Sequence, residues 1–169
     1  MGKTIATYAY VATDVTPVAT ATDVLTLTGV TGKIIRLSKV TVAGTATAAS
    51  IYDCYLVKRT TLNTGGTSTN PVATKCDSID PTASGILSLY TANPTLGTGT
   101  NFDADKLYLP AGATPASAGT HREWIFGVDG SKEPVIRAGE TWAFNFAGAA
   151  VPAGCSLYLS FEWTEEGTP

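Results

Sequence analysis

The segment CSLYLSFEW, residues 155–163, alternates strictly between apolar and polar side chains. Its odd-numbered positions carry Cys, Leu, Leu, Phe and Trp, and its even-numbered positions carry Ser, Tyr, Ser and Glu. A two-residue period belongs to a β-strand that turns one face to a core and the other to solvent, whereas a helix repeats every 3.6 residues. The segment therefore predicts a half-buried strand.

The same alternation recurs upstream. In TWAFNF, Trp142, Phe144 and Phe146 are predicted to point inward, with Ala143 and Asn145 outward. No window sustains the apolar spacing of an amphipathic helix, and glycine and proline recur about every ten residues. Further strands are predicted in the segments DVLTLTG, KIIRLSKVTVAG, SIYDCYLVKRT, ILSLYT, KLYLP and REWIFGV.

The segment REWIFGV also follows the only histidine of the chain, His121. Alternation predicts that Trp124, Phe126 and Val128 face the core. It places His121, Glu123 and Ile125 on the opposite face. Burial of the two aromatic side chains, worth roughly 2–3 kcal/mol each, accounts for the segment without any chemistry.

The length of 169 residues suggests one domain, and about eight or nine short strands suit an all-β sandwich or barrel. The 28 threonines fit this class, because a branched Cβ suits a pleated surface. Residues 1–22 are low in complexity and rich in Thr, Val and Pro, so we expect an extended N-terminal arm before a sandwich domain of residues 23–169. Residues 60–85 and 91–105 are expected to be irregular loops, which are commonly functional or mobile.

Charge and cysteine content argue against several classes. The net charge is −3 and the eleven basic residues are scattered, which disfavours nucleic-acid binding. No apolar stretch is long enough for a membrane helix, and the first residues lack the apolar core of a signal peptide. Three cysteines far apart, Cys54, Cys76 and Cys155, predict reduced thiols rather than disulfides or a zinc site, as in a cytoplasm.

Catalytic constellations are weak. His121 would have to act as the base of any catalytic triad, yet no nucleophile elbow occurs and Arg122 adjoins it. Glu162, Glu165 and Glu166 could pair as glycosidase carboxylates, but they trail into what reads as a solubilising tail. We therefore expect no enzyme.

Ligand sites are equally weak. The segment NTGGTSTN lacks the lysine and the strand-to-helix setting of a phosphate loop. No cofactor and no metal are expected. Two alternatives remain open. A calcium site could be formed by Asp77, Asp80, Asp103 and Asp105, although they lack a calcium-loop pattern. A platform for sugar binding could be formed by Tyr8, Tyr10, Tyr52, Tyr90 and Tyr108.

Several segments resemble a family of small structural proteins of tailed bacteriophages. The resemblance runs from about Val24 to Glu166, and its most telling pieces are LVKRTTLNTGGTS, TANPTLGT and the terminal EWTEE. It implies a jelly-roll-like antiparallel β-sandwich that decorates or cements the capsid in the virion, assembled in a host bacterial cytoplasm. It carries no site motif, and the N-terminal segment matches it less clearly.

The resemblance implies that the partner is the major capsid protein and that the chain forms a homo-oligomer, with a trimer favoured because cyclic symmetry matches threefold lattice positions. The alternative is a carbohydrate- or receptor-binding module of a phage fibre or tail. Extended arms and long loops can dock on neighbours, so we place the interface in the N-terminal segment and the first long loop, at Tyr8, Tyr10, Val15, Val18, Asn63 and Asn70.

Overall fold

The computed structural model describes residues 5–112 and 121–167. Within these ranges it contains twelve β-strands and no helix. The strands are β1 (Ala6–Val15), β2 (Asp23–Thr28), β3 (Lys33–Thr45), β4 (Ser50–Arg59), β5 (Thr67–Thr69), β6 (Thr74–Lys75), β7 (Ile86–Ala92), β8 (Gly99–Leu109), β9 (Arg122–Ile125), β10 (Val135–Ile136), β11 (Thr141–Asn145) and β12 (Ser156–Gly167). The predicted all-β class is confirmed.

The strands form two antiparallel sheets. Sheet I has the order β10–β3–β12–β1–β6, with β9 also on β3, and sheet II has the order β5–β7–β2–β11–β4–β8. The pairing is nested along the chain: β1 pairs with β12, β2 with β11, β3 with β9 and β10, and β4 with β8. Successive nested pairs alternate between the sheets, which is the strand order of a jelly roll. The predicted jelly-roll-like sandwich is therefore observed.

The core lies between the two sheets and follows the alternation of the sequence. In β12 the side chains of Leu157, Leu159, Phe161 and Trp163 are at most 1% exposed. Trp142 and Phe144 of β11 and the following Phe146 face them from sheet II and are equally buried. The predicted inward faces of both segments are confirmed. The positions predicted to lie outward in β11, Ala143 and Asn145, are not solvent-exposed but buried as well, and Asn145 donates a hydrogen bond to Asp23.

The N-terminal segment contributes a strand to the sandwich. Residues 6–15 form β1, which pairs with β12 along most of its length and with β6 on its other side. Its alternate residues Tyr8 and Ala12 are buried because they lie on the inner face of sheet I, beside Trp163 and Leu159 of β12. Residues 16–22 continue as coil to β2, and residues 1–4 of the predicted arm lie outside the described residues.

The long connection after β4 is more regular than the sequence suggests. Its β6 extends sheet I beyond β1, while β7 extends sheet II beyond β2 and carries β5 at its own edge. The expectation of an irregular loop over residues 60–85 is wrong to this extent. The connection covers strand edges that would otherwise remain unpaired, a common protection against unwanted strand addition.

Two further boundaries differ from expectation. The loop expected over residues 91–105 ends early, because β8 begins at Gly99 and pairs with β4. Trp124 is buried as predicted, but Phe126 is only half-buried and Val128 is 51% exposed. The alternation stops there because β9 ends at Ile125 and the chain turns at Gly127, where φ is 76°.

Candidate functional site

The most polar buried cluster centres on Asp23, at the start of β2. Its two carboxylate oxygens accept hydrogen bonds from Arg59 Nε and Nη2, each at 2.6 Å, and from the side-chain amides of Asn63 and Asn145, each at 2.7 Å. The Asp23 side chain is fully buried and that of Arg59 is 6% exposed. A buried ion pair is tolerated only when further hydrogen bonds satisfy it, as these do.

The same cluster fixes the loops above sheet II. Arg59 Nη1 donates to the Gly97 carbonyl at 2.8 Å, and the Gly97 amide donates to Asn63 Oδ1 at 2.9 Å. Gly97 sits close against the preceding loop, since a Cβ there would lie 2.1 Å from the Thr61 carbonyl oxygen. The cluster thus joins β2, β4, β11 and two loops, and it serves the fold.

A second buried carboxylate belongs to Glu165, which the sequence places in a solvated tail. That prediction is wrong: β12 continues to Gly167, and Glu165 is 2% exposed. Its carboxylate accepts hydrogen bonds from the amides of Ser84 and Gly85 and from Trp163 Nε1, all within 3.0 Å. Glu165 therefore anchors the segment before β7 to sheet I. Glu162 lies on the outer face, as alternation predicts.

The residues after His121 join the two sheets. Arg122 Nε lies 2.6 Å from Asp105 Oδ2, and Trp124 Nε1 donates to Asp103 Oδ2 at 2.7 Å. Arg122 also lies over the Trp124 ring, 5.7 Å from its centroid. The charged start of β9 is thus explained by contacts between β9 of sheet I and β8 of sheet II.

His121 itself is exposed, as predicted for a histidine at a strand end. Its neighbour Glu123 forms an ion pair with Lys39 at 2.8 Å on the outer face of sheet I. The hydrogen bond from Lys39 lowers the pKa of Glu123 and raises that of Lys39.

The aspartates considered for calcium are not gathered into one site. Asp103 and Asp105 contact β9, while Asp77 accepts a hydrogen bond from the Ile79 amide at 3.0 Å. Among residues 5–112 and 121–167, no group of three or more potential ligands could hold a metal ion. That part of the chain also contains no helix that could span a membrane.

The three thiols differ in environment. Cys54 and Cys155 are buried and Cys76 is exposed, and all three are unpaired, as predicted. Burial raises the pKa of Cys54 to about 12 and that of Cys155 to about 11, because a thiolate is poorly solvated in the core. These two thiols are therefore inert in the folded chain.

The tyrosines considered as a sugar platform do not lie together. The Tyr8 hydroxyl donates to the Pro81 carbonyl at 2.9 Å, and Tyr52 donates to the Ala149 carbonyl. Tyr90 lines a depression near β7, and Tyr108 pairs across strands with Ile51.

The outer face of sheet I carries an apolar strip. A shallow depression of about 200 Å³ on this face is lined by the outward side chains of Val11, Thr41, Ala43, Tyr158 and Ser160. Val11 is 59% exposed and Tyr158 is 47% exposed. Strand register brings these residues together, because Val11 pairs with Ser160, Ser160 with Thr41, and Tyr158 with Ala43. We call this set the sheet I strip.

The rim of the sheet I strip is polar. The Tyr158 hydroxyl donates to Asp14 Oδ1 at 3.2 Å, and this hydrogen bond raises the pKa of the phenol. Asp14 sits at an irregularity of the β1–β12 pairing, with φ of 54°, a conformation that aspartate tolerates better than most residues. Exposed apolar patches with polar rims are typical of interaction surfaces.

A second depression, of about 300 Å³, lies on the outer face of sheet II. Tyr55 and Leu96 supply its apolar side and Asn101 supplies an amide, whereas the Asn145 amide is hydrogen-bonded to Asp23. Arg59 lies at its floor but is neutralised by Asp23. The depression therefore combines one aromatic ring with polar groups, and the Arg59–Asp23 pair adds no net charge to it.

The six residues predicted for an interface are dispersed. Two are buried in the subunit, Tyr8 at 1% and Val15 at 9% exposed, and Tyr10 and Val18 pack against the core. Asn63 is part of the Asp23 cluster. Only Asn70 is fully exposed, beside a depression of about 270 Å³ before β7. An N-terminal interface can therefore involve outward residues of β1, such as Val11, but not the buried side chains.

Comparison with known proteins adds no relative: no family model, no curated protein and no solved structure matches the chain.

Proposed function

We propose that this chain is a structural protein of a bacteriophage virion that decorates or cements the capsid as a homo-oligomer. The resemblance of its strand segments to tailed-phage structural proteins is the starting point. Fold alone does not define function, because jelly rolls occur in capsid proteins, lectins and cupins alike. The role therefore depends on which surface of the sandwich binds a partner.

The sheet I strip is the observation that carries the proposal. It is formed by three long neighbouring strands, β1, β12 and β3, whose ladder spans most of sheet I. A surface on a rigid sheet can bind a flat partner with little loss of conformational entropy. The major capsid protein is the partner that the proposal names.

The buried polar clusters support a structural role. The carboxylates of Asp23 and Glu165 are saturated by hydrogen bonds from their own chain, and Asp103 and Asp105 contact β9. These groups act to hold strands and loops together. A chain built for mechanical cohesion gains from such cross-links.

Binding to capsids tests the proposal. Purified protein is mixed with phage capsid shells assembled without it and sedimented. We expect wild-type protein to sediment with the shells and Val11→Asp/Tyr158→Asp to remain in the supernatant. A matched control, Val72→Asp, changes a residue that is 78% exposed away from the strip and should bind like wild type. Equal binding by the strip variant, or no binding by wild type, would contradict the proposal.

The oligomeric part of the proposal has its own measurement. Light scattering of the purified protein is expected to give about three times the 17.5 kDa subunit mass. A subunit mass at high protein concentration would contradict a preformed trimer.

The second candidate, a carbohydrate-binding module, is favoured by the depression that contains Tyr55 and Asn101. An aromatic ring beside an amide group suits a neutral sugar. A glycan array distinguishes the candidates. Signal that is lost in Tyr55→Ala would favour this module, and a silent array would remove it.

A further inference from the structure

The outer face of sheet II carries another depression besides the one that contains Tyr55. Its volume is about 200 Å³, and it is lined by outward residues of β2, β7 and β11 and by the loop after β4. Its polar side chains include Thr28, Ser88 and Thr141, and Tyr90 supplies an aromatic ring. We call it the Tyr90 depression and the one described above the Tyr55 depression.

Hydroxyl groups of the Tyr90 depression retain hydrogen-bonding capacity. Thr28 Oγ1 and Thr141 Oγ1 lie 3.0 Å apart, and because only one of them donates to the other, one hydroxyl hydrogen of the pair is left for another acceptor. The Ser88 hydroxyl has no hydrogen-bond partner among residues 5–112 and 121–167. The depression therefore offers donors and acceptors to a ligand.

The two tyrosines of this face differ from the tyrosines that hold the fold together. The hydroxyls of Tyr8, Tyr52 and Tyr158 donate to acceptors of their own chain. Those of Tyr55 and Tyr90 have no partner within the described part of the chain, and both rings are half-buried. Each ring thus combines an open surface with a free polar group.

A buried cluster connects the two depressions. Asn63 lines the Tyr90 depression and Arg59 lines the Tyr55 depression. Both donate to the same oxygen of Asp23, Oδ2, at 2.7 Å and 2.6 Å. The depressions are therefore neighbours on one rigid floor.

A low apolar ridge lies between them. The loops that carry Leu62 and Leu96 are joined by two backbone hydrogen bonds between Thr64 and Thr95, at 2.8 Å and 3.0 Å. Leu62 lines the Tyr90 depression and Leu96 the Tyr55 depression, and they are 49% and 41% exposed. A ligand that occupies both depressions would cross these two side chains.

Strand register places the two tyrosines at similar levels on the sheet. Tyr55 and Asp23 both pair with Asn145, and Tyr90 follows Leu89, whose partner lies two positions beyond Asp23. The strand order β7–β2–β11–β4 puts three strand spacings between the tyrosines. At about 4.8 Å each, these amount to about 14 Å.

We propose that the outer face of sheet II binds a neutral oligosaccharide across both depressions, with Tyr55 and Tyr90 each contacting one sugar ring. Aromatic rings pack against the apolar face of a sugar, while hydroxyl and amide groups at the rim bind its hydroxyls. The inference rests on the second candidate function, to which it adds a second subsite and a ligand longer than one sugar. It does not depend on a role in a virion.

Charge and size both favour such a ligand. Arg59 is neutralised by Asp23, and Lys106, which acts on Tyr55 electrostatically, is paired with Asp53 at 2.6 Å. Neither pair leaves a net charge for an acidic sugar. The volumes of about 200 and 300 Å³ lie at or below the lower end of the roughly 300–1,000 Å³ of ligand sites, so a ligand that fills both gains more contact.

A glycan array that carries neutral and acidic glycans, from single sugars to hexasaccharides, tests the proposal. We expect wild-type protein to bind neutral oligosaccharides more strongly than single sugars. Tyr55→Ala and Tyr90→Ala should each weaken this binding about tenfold, because each removes apolar area that the ligand buries. Ile125→Ala shortens a 51% exposed side chain on sheet I and should bind like wild type.

The outcomes separate this inference from the function on which it rests. If Tyr55→Ala loses binding and folded Tyr90→Ala binds like wild type, the second subsite is overturned while the carbohydrate-binding module stands. A silent array overturns both and leaves the capsid proposal to its sedimentation experiment.

Nuclear magnetic resonance of the wild-type protein provides a test that needs no variant. Labelled protein is titrated with the oligosaccharide that gives the strongest array signal. We expect the amide resonances of Ser88 and Tyr90 to shift over the same ligand concentrations as those of Tyr55 and Asn101. Shifts confined to the Tyr55 depression would overturn the proposal even if the variants do not fold.

Discussion

Arg122 of β9 and Asp105 of β8 form an ion pair, with 2.6 Å between Nε and Oδ2, that joins sheet I to sheet II at one side of the sandwich. The two side chains are 42% and 33% exposed, so water screens much of their attraction. A second connection between the sheets is the hydrogen bond from Trp124 to Asp103, which lie two positions from Arg122 and Asp105 along their strands. The charged residues that follow His121 therefore connect the two sheets.

Replacing Arg122 with alanine should lower the free energy of unfolding modestly. We expect about 1 kcal/mol or less, because partly exposed ion pairs contribute little. Urea denaturation measures the change. Arg137→Ala, at an exposed position, is the matched control and should leave the stability unchanged. A loss for Arg122→Ala no greater than that of the control would contradict the role of Arg122 in connecting the sheets.

Replacing Asp23 with alanine should be far more damaging. Arg59 would remain buried without its counter-charge, and breaking one side of a buried pair costs about 3–5 kcal/mol. Denaturant unfolding again gives the value. Asp53→Ala removes a carboxylate from the exposed Asp53–Lys106 pair and should cause little measurable change. Similar effects of the two substitutions would contradict the structural importance of the Asp23 cluster.

Glu165→Ala should also destabilise the sandwich. It removes the acceptor for the amides of Ser84 and Gly85 and for Trp163 Nε1, and each buried donor left unpaired costs about 1–3 kcal/mol. Glu162→Ala, on the outer face of the same strand, is the control and should be close to neutral. If Glu165 lay in a solvated tail, the two variants would unfold at the same denaturant concentration.

The environments of the three cysteines predict which thiols react with a reagent and how the stability of the protein depends on pH. In native protein, a colorimetric thiol reagent should modify Cys76 alone, and in denaturant it should modify all three cysteines. The buried neutral thiols of Cys54 and Cys155 have folded-state pKa values above the ordinary 9.0, so their contribution to stability is present below about pH 9. This contribution to stability is lost as the pH rises through the folded-state pKa values, about 11 for Cys155 and about 12 for Cys54.

Unfolding measured between pH 8 and 11 checks the sign, since stability should fall across this range. Cys54→Ala should reduce the slope, whereas Cys76→Ser should leave it unchanged. Rapid modification of all three thiols in the native state would contradict the buried positions of Cys54 and Cys155.

Alternation sufficed to predict the large strands and their inner faces. Phe161 and Trp163 of β12, like Trp142 and Phe144 of β11, form runs in which every second residue is large and apolar, and such runs have one low-energy arrangement on a sheet. Eight of the twelve strands, namely β2, β3, β4, β7, β8, β9, β11 and β12, were indicated in this way, although the boundaries of β8, β9 and β12 differed.

The remaining strands gave weaker signals. In β1 the inward residues Tyr8 and Ala12 are interrupted by an irregularity before Val15, and the threonine-rich surroundings suggested an arm. Strands β5, β6 and β10 have two or three residues each, too few for a period to be visible. Tertiary pairing, not local sequence, creates them.

The buried polar clusters were missed for a different reason. Asp23 and Arg59 are 36 positions apart, and no local pattern links them. Glu165 did carry a signal, because it continues the odd-numbered inward series of Phe161 and Trp163. Its place between Thr164 and Glu166 made the segment look like a polar tail. Attention to the period rather than to the charge would have placed it correctly.

We propose that this sandwich binds a capsid through the outer face of sheet I. Cryo-electron microscopy of a phage particle that contains the chain tests it most directly. We predict sandwich density on the outer shell at threefold-related positions, with Val11 and Tyr158 against the major capsid protein. Particles without such density, or a bound subunit with the sheet I strip facing solvent, would contradict it.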